Sequence, residues 1–100
     1  MKYKLQLLDF ALEDVYSACE YYQNKQPGLE SRFMTEVEDA FERIVAEPQM
    51  YVRKYKKLQM APVHHFPYWV YYRIEGDLIR VAAIYHEKRS PETLIKRIKK

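Results

Sequence analysis

The side chains best suited to chemistry lie in residues 66–89, where arginines and a histidine alternate with aromatic residues. Alternation along two strands predicts one mixed face and one apolar face. The mixed face carries Trp69, Tyr71, Arg73, Arg80, Ala82, Ile84 and His86, and the apolar face carries Val70, Tyr72, Ile74, Ile79, Val81, Ala83 and Tyr85. Guanidinium groups bind phosphates and carboxylates, and an imidazole can move a proton. The mixed face is therefore the candidate for function.

A second basic cluster precedes this segment: Arg53, Lys54, Lys56 and Lys57 surround Tyr55. Such a cluster can contact phosphates and stack on a base. It equally fits an edge strand whose lysines discourage aggregation, and the sequence leaves both interpretations open.

Charge is divided unevenly along the chain. Residues 1–50 hold five Lys/Arg and ten Asp/Glu, a net of −5, and residues 51–100 hold twelve and four, a net of +8. The basic half favours a surface for nucleic acid or for an acidic protein segment.

Other reactive residues give weaker signals. Cys19 is the single cysteine, which excludes an internal disulfide. It lies on an apolar helical stripe, so we expect a buried side chain and not a reactive thiol. His64 and His65 would point to opposite faces of a strand, and the carboxylates of the second helix are expected to be solvated. We therefore predict no metal site and no cofactor.

Periodicity predicts the elements that position these residues. Tyr68–Ile74 and Leu78–Tyr85 form a hairpin around Gly76-Asp77. Before the hairpin, the sequence predicts a strand over 2–7 and a helix over 10–25 that Asp9 caps. A second helix follows, with an apolar stripe from Leu29 to Ile44, and Pro48 ends it. The other predictions are a strand over 53–59, a loop near Pro62, and a helix that starts at Ser90-Pro91-Glu92.

The order β-α-α-β-β-β-α predicts a single α+β domain over residues 1–100. Its two layers are an antiparallel helical hairpin and a mainly antiparallel sheet of about four strands, with a short C-terminal helix. The hairpin should cover one sheet face and leave the other exposed. No run of about 18 apolar residues is present, and the N-terminus lacks the apolar core of a signal peptide, so we expect a cytoplasmic protein with no membrane contact.

Several short patterns together resemble the RelE/ParE superfamily of bacterial type II toxins, and its ParE-like branch in particular. These patterns are Phe66-Pro67-Tyr68, Val70-Tyr71-Tyr72-Arg73, Leu78-Ile79-Arg80-Val81 and His86-x-x-Arg89, preceded by a helical hairpin that ends at Glu47-Pro48. The resemblance covers almost the whole chain. It implies a toxin that a cognate antitoxin neutralises.

Two activities follow from the resemblance. ParE-like members poison DNA gyrase, and RelE-like members cleave mRNA on the ribosome. Tyr68 stands where ribonuclease members place an arginine, and the chain lacks a short tail ending in a catalytic tyrosine, so we predict a ParE-like toxin that binds a protein target. The alternatives are an endoribonuclease and an inactive homologue that binds only an antitoxin.

The resemblance also implies roles for individual residues. In the endoribonuclease alternative, His86 and Arg73 are catalytic, although His86 can equally be structural and bond to the loop around Arg89. Contacts to the target or to RNA are expected from Arg53, Lys54, Lys56, Lys57, Trp69, Tyr71, Arg80 and Arg89.

Overall fold

The computed structural model of the chain describes residues 3–54, 58–89 and 91–98. The elements are β1 (Lys4–Leu7), α1 (Asp9–Lys25), α2 (Leu29–Ala46), β2 (Arg53–Lys54), β3 (Leu58–Val63), β4 (Tyr68–Glu75), β5 (Leu78–His86) and α3 (Pro91–Ile98). The predicted α+β fold with a helical hairpin and a short C-terminal helix is confirmed. None of the helices in the described ranges is long and apolar enough to span a bilayer.

The sheet has five strands in the order β1-β5-β4-β3-β2. The β1 strand pairs parallel to β5, and the other neighbours pair antiparallel. The sequence predicted one strand over 53–59, whereas the structure has two, β2 before residues 55–57 and β3 after them. The prediction of a loop near Pro62 is wrong, since Pro62 lies inside β3. Proline is tolerated there because β2 pairs only with Leu58 and Gln59, which leaves the rest of that edge open.

The helical hairpin packs on one sheet face through two apolar stripes. On α2 the buried residues Phe33, Val37, Ala40 and Ile44 confirm the predicted stripe, and Gly28 at φ 95° provides the left-handed residue that starts the helix. Phe33 is fully buried in a cluster of edge-on and tilted aromatic contacts. The other rings of that cluster are Tyr22, Phe66 and Tyr68.

Three predictions for α1 are wrong in detail. Leu8, not Asp9, is the N-cap, and no side chain caps the helix. The helical spacing of Leu8, Leu12, Val15, Cys19 and Tyr22 predicts one buried stripe, but Leu12 is 41% exposed, whereas the charged Asp14 is buried. Cys19 was expected to be buried but is only partly buried. Even so, the pKa of its thiol is raised, mainly by burial, and a raised pKa agrees with an unreactive cysteine.

A β-bulge in the long hairpin changes which residues share a face. Tyr71 pairs with Ala83 but the next residue, Tyr72, pairs with Val81, so β5 has one extra residue at this point. Side chains of β5 beyond the bulge therefore point to the side opposite to that expected from simple alternation. Ile84 belongs to the core under the helical hairpin, and Ala83 and Tyr85 belong to a second cluster. The predicted faces of these residues, and of His86, are wrong.

The second sheet face is partly covered, contrary to the prediction that it would be exposed. Leu94 of α3 is fully buried there, in a cluster with Leu58, Tyr71 and Tyr85. The α3 helix thus supplies a small second core. Pro91 is its first residue, as predicted, and Ser90 lies outside the described residues.

The loop after α2 is fixed by two buried polar side chains. Tyr72 donates its hydroxyl to the carbonyl of Pro48, and the amide of Gln59 donates to the carbonyls of Pro48 and Tyr51. Burial raises the pKa of Tyr72 far above its ordinary range, so its hydroxyl remains a donor at all ordinary pH values.

Replacing Tyr72 by phenylalanine should lower the free energy of unfolding by about 1 to 2 kcal/mol, because the carbonyl of Pro48 loses a buried donor. Urea unfolding measures the change. Tyr16→Phe is the matched control, since this side chain is 64% exposed and its substitution should have no effect. Equal stability of the wild type and Tyr72→Phe would contradict the role of this hydrogen bond.

Candidate partner-binding face

Two neighbouring clefts meet at Arg73: one lies at the end of the sheet beside the loop after α2, and the other lies on the second sheet face beside the part that α3 covers. The larger, of about 740 Å³, is lined by Gln49, Tyr51, Arg53, Gln59, Arg73, Ile74 and Glu75. The smaller, of about 320 Å³, is lined by Leu8, Asp9, Phe10, Leu58, Arg73, Arg80, Ala82 and Arg97. Arg73 lines both clefts. We call the surface of Arg73 and Arg80 on the second sheet face the arginine face. Arg53 lines the larger cleft but pairs with Gln59, so it lies on the hairpin side of the sheet.

Arg73 and Arg80 lie opposite each other on β4 and β5. Like charges in this position repel, and Glu75 offsets the repulsion by pairing with the Nε atoms of both arginines. Desolvation acts to raise the pKa of Glu75, but the two positive charges outweigh it and lower the pKa. Two guanidinium groups held by one carboxylate keep donors for a further carboxylate or phosphate.

The floor of the smaller cleft is apolar, since Leu8, Leu58 and Ala82 line it together with the ring of Phe10. Phe10 is 45% exposed. An apolar floor with arginines at its margin suits a protein segment that combines hydrophobic and acidic side chains.

The other predicted contact residues differ in exposure. Arg53 and Lys54 form β2 and are exposed, and Lys56 and Lys57 lie outside the described residues. Tyr71 is only 8% exposed and Trp69 is partly buried. Both pack in the second core, where Tyr71 is buried and Trp69 keeps part of its surface exposed. The helix α3 covers this part of the sheet face, and the expected contacts of Trp69 and Tyr71 with a target stay predictions.

His86 and Arg73 are not brought together. His86 lies on the side of the helical hairpin, where its ring meets Tyr68 edge-on at 5.3 Å and lines a cleft beside α1. Arg73 is on the opposite face. Arg80, its cross-strand neighbour, and His86 lie near opposite ends of β5, about 20 Å apart at the rise of an extended strand.

The local contacts of His86 are structural. The backbone N–H of Lys88 donates to its Nδ1 over 3.1 Å, which places the proton of a neutral ring on Nε2. The backbone N–H of Arg89 donates to the carbonyl of His86 over 2.9 Å. These bonds form the turn after β5, in agreement with the structural alternative for His86.

Arg89 belongs to a separate ionic cluster around Asp14. Its guanidinium lies 4.2 Å from the ring centre of Tyr85 and 3.6 Å from Oδ1 of Asp14. Arg97 of α3 donates to both carboxylate oxygens of Asp14, at 2.8 and 3.1 Å. Oδ2 of Asp14 also accepts the backbone N–H of Ile84 at 3.0 Å.

Asp14 is the residue that the sequence analysis missed. Among the described residues, no strand pairs with the edge of β5 beyond Leu8, and the carboxylate of Asp14 takes the place of a strand carbonyl there. It thereby joins α1, β5 and α3. The sequence does contain a sign of this role. Asp14 lies between Ala11 and Ala18 on the apolar stripe of α1, where a charge without a partner would be costly, so a partner is to be expected.

The fold agrees with the RelE/ParE type, and the comparisons identify the branch. Residues 5–91 match the sequence model of the family described as "ParE toxin of type II toxin-antitoxin system, parDE". The chain therefore belongs to the ParE toxin family of type II toxin–antitoxin systems.

Structural comparison supports the fold. Twelve chains of solved structures match. One of them, described as "Chromosomal ParDE TA system from P. aeruginosa", has a TM-score of 0.65 and 18% sequence identity, over 84% of this chain and 95% of that chain. A search of curated proteins gave no significant match.

Proposed function

We propose that this protein stops bacterial growth by binding DNA gyrase in the cytoplasm, and that a cognate antitoxin neutralises it. The observation that carries the proposal is the family match over residues 5–91. The arginine face adds a physical reason for a protein partner, since it combines an apolar floor with fixed positive charges.

The antitoxin segment is expected to be acidic and partly apolar. Seated in the smaller cleft, it would place hydrophobic side chains on Leu8 and Leu58 and carboxylates against Arg73 and Arg80. Because the side chains of these arginines are 40% and 34% exposed, their attraction for a partner should be weakened by salt.

The separation of His86 from Arg73 argues for this proposal and against the endoribonuclease alternative. Acid–base cleavage of RNA needs proton-transfer and charge-stabilising groups within hydrogen-bond reach of one phosphate. Side chains on opposite sheet faces, about 20 Å apart along the strands, do not meet that condition.

Replacing His86 by alanine should therefore leave growth inhibition unchanged within about twofold. The measurement is the growth rate after induction of each variant at equal protein level. Folding is compared by thermal melting, because His86 contacts Tyr68. Loss of toxicity in a folded His86→Ala protein, together with loss of mRNA cleavage, would replace the proposal by the endoribonuclease alternative.

The proposal as a whole is tested by expressing the chain from an inducible promoter and sampling RNA and plasmid topology as growth slows. Altered topology with intact messages is the expected result. Cut messages with normal topology would identify a ribonuclease. Unaffected growth with accumulation of folded protein would identify an inactive homologue that binds only its antitoxin.

A further inference from the structure

We propose that Glu36, Asp39 and His64 form a binding site for a divalent cation of the zinc class. One carboxylate oxygen of each acid and one ring nitrogen of His64 all lie within 4.8 Å of one another. This cluster is on the helical-hairpin side of the molecule. It is independent of the toxin activity proposed above.

The site follows from how α2 lies along β3 and the turn after it. Glu36, Asp39 and Arg43 follow one another at spacings of three and four residues, so they share one flank of α2. Arg43 Nη2 donates to the carbonyl of Pro62 over 3.1 Å, which fixes this flank against the end of β3. One turn of helix earlier, the same flank therefore faces residues 64 and 65.

The turn brings two imidazoles to the two carboxylates. His65 has φ 71°, a left-handed conformation that is uncommon for residues other than glycine. Its Nδ1 lies 3.1 Å from Oε2 of Glu36, while His64 lies beside both Glu36 and Asp39. His64 and His65 therefore approach the same side of α2, whereas alternation along a strand predicted opposite faces.

This donor set fits zinc better than magnesium or calcium. Zinc accepts imidazole nitrogen with carboxylate oxygen, and sites with three protein ligands leave a fourth position for water. Ligand bonds of about 2.0 to 2.2 Å place tetrahedral ligand atoms roughly 3.3 Å apart, so the present separations must shrink by at most about 1.5 Å. Asp39 and His64 are both exposed, so their side chains have room to rotate toward a cation.

Two existing interactions compete with the cation or assist it. Asp39 pairs with Arg43 at 3.1 Å, and a cation can replace this ion pair because Arg43 also donates to Tyr51 and to the carbonyl of Pro62. His65 bonds to Glu36 and would orient this carboxylate, as the outer partners of metal ligands do. A bound cation would then fix the turn between β3 and β4 to α2.

The test is titration of the untagged full-length protein with zinc chloride in a calorimeter, repeated with cobalt(II) to read the coordination by visible absorption. We expect one cation per chain, and binding at least tenfold weaker in His64→Ala and in Asp39→Asn. His65→Ala should weaken it by about tenfold, as loss of an orienting partner does. Glu38→Gln is the matched control, because it removes a neighbouring exposed carboxylate outside the cluster.

All four side chains are on the surface or partly buried, so the variants should fold, and far-UV circular dichroism checks this. A melting temperature that rises with zinc in the wild type and in Glu38→Gln, but not in His64→Ala, would support the site. Two results would overturn it: no heat and no cobalt spectrum with wild-type protein at 100-fold excess of cation, or equal affinity in wild type and His64→Ala.

Discussion

Replacing Asp14 by alanine should lower the free energy of unfolding by about 3 to 5 kcal/mol, among the largest effects of any single substitution in this chain. The side chain is 6% exposed and that of Arg97 is 13% exposed, so the change leaves a buried guanidinium without its carboxylate. It also removes the acceptor for the backbone N–H of Ile84. Burial tends to lower the pKa of Arg97, but Asp14 outweighs this and raises it, so Arg97 stays charged.

Urea unfolding followed by circular dichroism measures this loss. Asp14→Asn separates the two contributions to the loss of stability. Its amide oxygen can still accept from the backbone N–H of Ile84, while the charge attraction to Arg97 is gone. We expect the asparagine variant to lose less than the alanine variant. Glu20→Ala, an exposed acid on the same helix, is the control. A loss below about 1 kcal/mol for Asp14→Ala would show that Asp14 does not hold the three elements together.

Reversing the charge of both Arg73 and Arg80 should weaken antitoxin binding by about a hundredfold, or roughly 2.7 kcal/mol. Each arginine lines the smaller cleft, and each reversal replaces attraction for an acidic segment by repulsion. The reversed pair also faces Glu75, so the folding of the variant must be compared by thermal melting.

The measurement is calorimetric titration with the protein encoded by the adjacent short reading frame, at two salt concentrations. The wild-type affinity should fall with salt, and the affinity of the double variant should fall less or rise. Lys25→Glu is the matched control, since it reverses an exposed charge at the end of α1 that does not line either cleft. Unchanged affinity in the double variant would place the antitoxin on another surface.

The periodic parts of the fold were predictable because burial imposes a period that the sequence must follow. Phe33, Val37, Ala40 and Ile44 are buried as their spacing indicates. The two strands around Gly76-Asp77 also form as predicted, and Gly76 adopts φ 65° in the turn between them. These features depend on residues that are near one another in the chain.

The candidate site was less predictable because it depends on contacts between distant residues. A single extra residue in β5 moves His86 to the hairpin side, and alternation alone does not locate a bulge. The apolar residues of α3 showed that it could pack, but not that Leu94 would cover Tyr71 and Tyr85. Asp14 shows the same limit, since its partners Ile84 and Arg97 come from the other end of the chain.

The proposed action of this ParE-family toxin on DNA gyrase can be measured in a supercoiling assay with purified gyrase, relaxed plasmid and purified toxin. We expect toxin at about micromolar concentration to inhibit supercoiling. His86→Ala should inhibit equally, and the cognate antitoxin should restore gyrase activity. Full supercoiling at every toxin concentration, with cleavage of mRNA when the same protein is added to translating ribosomes, would contradict the proposal.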